Sequence, residues 1–185
     1  MTSDRVSPMD HAAIAAIVHA PGTADDSALL AAFADDWLAR GVMIRGLVDE
    51  LADGKGNACG ARLRDLETGS HYVIFQDLGP GSSGCRIDPG GVVAASVALR
   101  RAVETGADLV VANRFGKLEA SGSGLAEEML QVMAVGIPFI TLVAEPWLAE
   151  WQRFTGGAGQ RLAPHRGALD AWLLQHVKTA AHAVA

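Results

Sequence analysis

Along this chain the apolar residues fall into short unbroken runs separated by polar turns and amphipathic stretches, an order that predicts alternating strands and helices. Ala12 to His19 is a continuous apolar run that meets Pro21-Gly22, and after polar Thr23 to Ser27 an amphipathic stretch extends from Ala28 to Arg40. These read as buried strand, turn and helix. Gly41 stands where a left-handed helix cap is wanted, and Val42 to Val48 supplies a second strand that completes a βαβ unit. After the turn-rich Asp53 to Asn57, the segment Ala58 to Asp65 alternates, with Arg62 and Arg64 opposite Leu63. A second turn, Glu67 to Ser70, leads into His71-Tyr72-Val73-Ile74-Phe75, which predicts an antiparallel hairpin.

A glycine-rich loop lies between Gln76 and Gly91, of a length and composition that mark function or mobility. Asp88 is placed as N-cap and Pro89 as first-turn residue of a helix over about Val92 to Glu104. Ala107 to Ala112 predicts a buried strand, Ser121 to Val135 one helix, and Ile137 to Val143 a further strand. Pro146 to Trp151 starts a short helix, Arg153 to Gly159 is a connection, and Gly167 to Ala185 closes the chain with a helix. Trp147, Trp151 and Phe154 recur at helical spacing and are expected to cover the core, and Trp172 to anchor the last helix. The fold class is therefore α/β, three layers around a mostly parallel sheet with an inserted β-hairpin. Residues 1–11 are expected to form a flexible N-terminus and 12–185 a single domain.

Composition narrows the partners. Half of the 185 residues are hydrophobic and 19% charged, enough for a packed core and far from disordered chains. The apolar runs are strand-sized, well short of the roughly 20 residues that span a bilayer, so no membrane contact is expected. The start of the chain lacks a basic segment followed by an apolar one, which points to a cytoplasmic location. A formal charge of −6 without Lys and Arg clusters argues against nucleic acid as a partner. Cys59 and Cys85 are too few for a disulfide framework, and neither they nor His19 and His71 show metal-ligand spacing, so no metal site is expected. Cys85, beside Arg86, is either a reactive thiol in the loop or a buried inert one. His165, His176 and His182 read as solvated C-terminal residues.

A phosphate-cradling loop belongs after the first strand of such a sheet, where glycine-rich backbone donors meet a helix N-terminus. That position reads His19-Ala20-Pro21-Gly22-Thr23-Ala24-Asp25-Asp26-Ser27, without Gly-Lys-Ser/Thr. Asp25 and Asp26 would oppose a triphosphate. Thr23 or Asp25 serves as a helix cap, or Gly22 and Thr23 retain anion binding.

With these positions in view, Val42 to Glu50, the hairpin Gly60 to Gly69 and the run Ala107 to Glu119 resemble the small P-loop nucleoside-triphosphatases related to nucleotide kinases. More specifically, Asn113-Arg114-Phe115-Gly116-Lys117-Leu118-Glu119 with Ser121-Gly122-Ser123-Gly124-Leu125 resembles an uncharacterised bacterial family related to those enzymes and associated with molybdate transport. The likeness runs from about Ala12 to Leu173. It implies a P-loop-like fold, with Asn113 and Arg114 standing where the relatives carry the strand-end carboxylates and Glu119 matching their final Glu.

Metal-dependent phosphoryl chemistry needs a lysine on the phosphates, a hydroxyl and an acidic residue for Mg²⁺, and a group that orients water. The strand end has changed sign, so the expected ligand is a small anion or nucleotide-like molecule held by Gly22, Thr23, Arg86, Asn113, Arg114 and Lys117. Arg114 alternatively pairs with Glu119 or Asp88. Glu119 is the candidate base, or else it pairs with Lys117 or Arg114. The residues assign no cofactor. The leading expectation is a non-hydrolytic binding or regulatory protein. The alternatives are a nucleoside-triphosphatase or phosphotransferase in which Asp25, Asp26 or Asp49 binds metal and Glu119 orients water, and an interaction protein without a ligand. A homo-oligomer is compatible with all three.

Overall fold

Two apolar layers, one on each face of a central sheet, account for the alternation seen in the strands. The computed structural model describes residues 13–20, 25–51, 61–76 and 86–177. Its strands are β1 (Ile14–His19), β2 (Ile44–Leu51), β3 (Ala61–Asp65), β4 (His71–Val73), β5 (Phe75–Gln76), β6 (Arg86–Ile87), β7 (Leu109–Phe115), β8 (Phe139–Ala144) and β9 (Gln160–Leu162). Its helices are α1 (Asp25–Ala39), α2 (Pro89–Thr105), α3 (Lys117–Ala120), α4 (Ala126–Ala134), α5 (Leu148–Phe154) and α6 (Arg166–His176). A 3₁₀ turn, Glu145–Trp147, leads into α5.

The main sheet has the order β4-β3-β2-β7-β8-β1-β9. β2, β7, β8, β1 and β9 are parallel, and the hairpin β3–β4 adds antiparallel strands at the β2 edge. β5 and β6 form a separate two-stranded ribbon. One core sets Ala15, Ile17, Ile44, Val48, Val111 and Ile140 of the sheet against Leu30, Phe33 and Trp37 of α1 and Leu169, Trp172 and Leu173 of α6. The other sets Ala16, Leu47, Val110 and Ala112 against α2, α4 and α5, with Leu99, Met129 and Trp151 at its centre. Successive strand residues point to opposite faces, so the central strands β1, β7 and β8 feed both layers and read as mainly apolar runs. Trp151 is fully buried, edge-on to Phe115 at 5.2 Å between ring centroids.

β2 approaches β7 closely at Gly46, which has φ +109°. A Cβ there would lie 2.0 Å from the Val111 carbonyl oxygen, so only glycine fits.

Several expectations are corrected in detail. The helix expected over Ser121 to Val135 is shorter: α4 begins only at Ala126, because Gly122 and Gly124 adopt positive φ (+78° and +64°) in the turn that separates it from the short α3 upstream. The strand expected to stop at Ala112 continues through Asn113, Arg114 and Phe115. β9 was not expected; it is a short edge strand in the segment after the glycine-rich connection. His165 caps α6, its Nδ1 accepting from the Ala168 N–H at 3.2 Å. Asp88 caps α2 as expected, accepting from the Gly90 N–H at 3.0 Å. Among the described residues no helix is long and apolar enough to cross a membrane. Residues 1–11, His182, Cys59 and Cys85 lie outside the described residues.

Candidate functional site

The C-terminal ends of the parallel strands converge where open α/β sheets hold ligands. β2 brings Asp49 to this edge, β7 brings Asn113 and Arg114, and the first turn of α1, which follows β1, brings Ser27. On β7 the odd-numbered Leu109 and Val111 face the layer of α1 and α6. Continuing that alternation turns Asn113 toward α1. Just beyond, the register against β8 shifts between Ala112 and Phe115, at the cis Asn113–Arg114 peptide, and Phe115 joins the opposite core.

The four side chains form one hydrogen-bonded cluster. Ser27 Oγ donates to Asp49 Oδ2 at 3.2 Å and accepts from Asn113 Nδ2 and Arg114 Nη2, each at 3.3 Å. Arg114 Nη2 also donates to Asp49 Oδ2 at 2.8 Å. Because Ser27 has a single hydroxyl hydrogen and gives it to Asp49, the Asn113 amide must turn its NH₂ toward Ser27. Its Oδ1 is then left buried without a donor, on a residue only 3% exposed. An unpaired buried acceptor costs about 1–3 kcal/mol, so folding alone does not favour this arrangement.

Arg114 pairs with Asp49, and neither with Glu119 nor with Asp88, the two partners weighed from sequence. The strand end is therefore not simply inverted in charge: a carboxylate from the neighbouring strand balances the arginine. Asp49 is 13% exposed and Arg114 52%, so the pair sits at a solvent boundary. Both arginine contacts use Nη2.

Glu119 is 8% exposed and serves the local backbone. Its Oε2 accepts from the Gly116 N–H at 3.1 Å and its Oε1 from the Leu125 N–H at 3.2 Å, which ties the start of α3 to the start of α4. It makes no ion pair with Lys117 or Arg114, contrary to the pairing considered above. Lys117 is exposed at the start of α3 and, among the described residues, has no carboxylate partner.

Beside this cluster lies a cavity of about 740 Å³. It is walled by α1, the ends of β2 and β7, the β5–β6 ribbon and the start of α2. Asn113, Arg114, Lys117 and Glu119 all line it, as do Ser27 and Asp49. Arg86 is exposed on β6 and is not part of the lining, although its neighbour Ile87 is. Gly22 and Thr23 lie outside the described residues. Arg64, also in the lining, is held by Asp35 at 2.9 Å and approaches Glu50 at 3.7 Å. Among the described residues no group of three or more His, Cys, Asp or Glu side chains is placed to hold a metal ion. Sequence reasoning missed Ser27, whose only local signal is a hydroxyl in the first turn after β1.

Comparison with known proteins agrees with this architecture. A family model described as a protein of unknown function, DUF2478, matches residues 14–172. The chain is 41% identical over 160 residues to the molybdenum import ATP-binding protein ModC 2 of Bradyrhizobium diazoefficiens, a match that covers 86% of this chain and 18% of that protein. The chain thus spans about a fifth of the length of that relative. The solution structure of a human cancer-related nucleoside triphosphatase superposes with a TM-score of 0.61, covering 88% of this chain and 95% of that one at 16% identity. That likeness places the fold among the P-loop NTPase-like α/β proteins.

Proposed function

The chain belongs to the DUF2478 family of proteins of unknown function, and we propose that it is a regulatory protein that binds a small anionic or nucleotide-like ligand without metal-dependent hydrolysis. One observation carries this reading: a single guanidinium nitrogen, Arg114 Nη2, contacts both the Ser27 hydroxyl and the Asp49 carboxylate. In P-loop phosphoryl transfer a hydroxyl and a carboxylate hold Mg²⁺ against the phosphates. Here a cation tethered to β7 occupies a hydroxyl–carboxylate pair of that kind, the carboxylate coming from the neighbouring strand β2, and no lysine precedes Ser27. Lys117, without a carboxylate partner among the described residues, supplies positive charge for an anion at the strand ends, and the remaining Arg114 donors can hydrogen-bond it. A link to molybdenum metabolism is part of the proposal and rests on the name of the ModC 2 relative. The ligand is a small molecule, with neither nucleic acid nor membrane as partner, and the setting is cytoplasmic.

The Ser27–Asp49 contact supports a second reading. Were Arg114 to swing away, that pair would offer Mg²⁺ a hydroxyl and a carboxylate, and the protein would be a nucleoside-triphosphatase with relocated groups.

A thermal-shift series with ATP, GTP, ADP, molybdate and sulfate, with and without Mg²⁺, run beside a phosphate-release assay, separates the two. The first reading expects stabilisation without Mg²⁺, lost in Arg114→Ala, and no phosphate release. Mg²⁺-dependent release abolished by Ser27→Ala and by Asp49→Asn establishes the second.

A further inference from the structure

The cavity is far larger than a bare oxyanion requires. Its volume of about 740 Å³ falls within the roughly 300–1,000 Å³ typical of sites for organic ligands. A tetrahedral oxyanion, only a few times the roughly 30 Å³ of a water molecule, would leave most of it empty. Its walls are also mainly apolar. Ala28 and Ala32 of α1 contribute small side chains, and Phe75, Ile87, Val92 and Leu118 face them from the ribbon, α2 and α3.

Three polar side chains of the lining keep hydrogen-bonding capacity that the protein does not use. Arg114 is oriented by Ser27 and Asp49 through Nη2 alone, which leaves Nη1 and Nε to donate elsewhere. Lys117 stands beside it with no ion pair among the described residues. Asn113, almost wholly buried on the same wall, keeps an acceptor without a donor. Arg64, which also lines the cavity, is already taken up by Asp35 and Glu50.

We propose that this cavity binds an organic anion with a compact apolar body, its negative group held by Arg114 and Lys117 and its body lying between the alanine face of α1 and the β5–β6 ribbon. The inference rests on the ligand-binding reading of the same site and narrows the ligand class to exclude a bare oxyanion.

The test uses the full chain and the fluorescent probe 8-anilinonaphthalene-1-sulfonate, an aromatic body bearing one sulfonate. The uncharged N-phenyl-1-naphthylamine and inorganic molybdate and sulfate are the comparisons. The expected result is saturable binding of one sulfonate probe per folded chain. Lys117→Ala weakens it about tenfold, the loss of one charge-assisted contact, and Lys117→Arg restores it. Ala32→Phe, which fills the cavity from an exposed helix position, abolishes it with the melting temperature retained, and Ala28→Leu provides an independent second filling. Probe binding that survives both filled variants overturns the inference, as does equal affinity for the uncharged naphthylamine.

An error in the ligand class is distinguishable from an absence of ligand binding. Molybdate or nucleotide binding that is lost in Arg114→Ala but unaffected by Ala32→Phe sinks the organic-anion inference and leaves the ligand-binding reading intact. Mg²⁺-dependent phosphate release sinks that reading, while a probe site sensitive to Ala32→Phe still upholds the cavity assignment.

Discussion

Arg114 donates from Nη2 to Asp49 Oδ2 at 2.8 Å, so the guanidinium carried by β7 is matched by a carboxylate on the adjacent parallel strand β2. Ser27 accepts from the same nitrogen, and a hydroxyl and a carboxylate thereby share one built-in cation. Removing that cation should leave the pair available to a free one. In Arg114→Ala, millimolar Mg²⁺ is expected to raise the melting temperature, whereas the wild-type protein shows no such shift; Ser27→Ala in the same background should cancel the gain. Equal Mg²⁺ responses in wild type and Arg114→Ala would show that the arginine does not stand in for a metal.

Glu119 joins α3 to α4 by accepting two backbone N–H groups, those of Gly116 and Leu125. Glu119→Ala leaves both without their acceptor and is expected to cost about 2–4 kcal/mol in urea unfolding. Glu119→Gln keeps one carbonyl acceptor and should cost about half as much. Gly124→Ala should destabilise for a related reason, since its Cβ would lie 2.3 Å from Glu119 Oε1. Glu119→Ala with unchanged stability would remove the bracing role.

Gly46 offers a test of the sheet itself. Gly46→Ala forces a methyl group against the Val111 carbonyl in a backbone conformation with positive φ. The expected loss is about 3 kcal/mol or more, read as a lower denaturation midpoint with an unchanged slope. A near-neutral result would mean that β2 and β7 do not approach as described.

Acid stability should depend on two carboxylates. Burial acts to raise the pKa of Asp65, but the Glu67 and Thr68 backbone N–H groups and the Arg101 guanidinium hold it below the ordinary 3.8. Burial likewise opposes, and Arg166 and Trp37 outweigh it to lower, the pKa of Asp170. A folded-state pKa below the unfolded one adds stability that is fully present above the unfolded value and disappears as pH falls through the folded value. Unfolding free energies measured between pH 7 and pH 2 should therefore hold until about pH 4 and then decline. Asp65→Asn and Asp170→Asn should each lower the neutral-pH value and flatten the acid limb. A decline in both variants as steep as in the wild type would assign the acid sensitivity to other groups.

Much of the scaffold was legible because its signals are local. The runs at Ile14 to Val18, Leu109 to Ala112 and Phe139 to Val143 are buried on both faces and so are apolar throughout except for Thr141, whose hydroxyl donates to the Ala112 carbonyl. Asp88 before Pro89 reads directly as a helix start because cap and first turn are neighbours in the chain. Apolar periodicity over Ser121 to Val135 does not reveal that α4 begins only at Ala126, because the positive φ values of Gly122 and Gly124 are a property of the folded turn. β9 escaped notice because Gln160 and Arg161 are exposed edge residues whose pairing to β1 depends on a strand far away in the sequence.

What the sequence by itself determined is the α/β scaffold, the family resemblance and the presence of Asn113 and Arg114 near the end of a buried strand. Burial periodicity and residue identity are written one position at a time, so they survive without coordinates. The partner of Arg114, the inclusion of Ser27 and the engagement of Glu119 by backbone were decided by tertiary structure alone. Ser27 and Arg114 are 87 positions apart, and they meet because β8 lies between β1 and β7 in the sheet and α1 packs back over that edge. Charge read from sequence counts the groups present at a site; only the folded sheet shows which of them are already spent on each other.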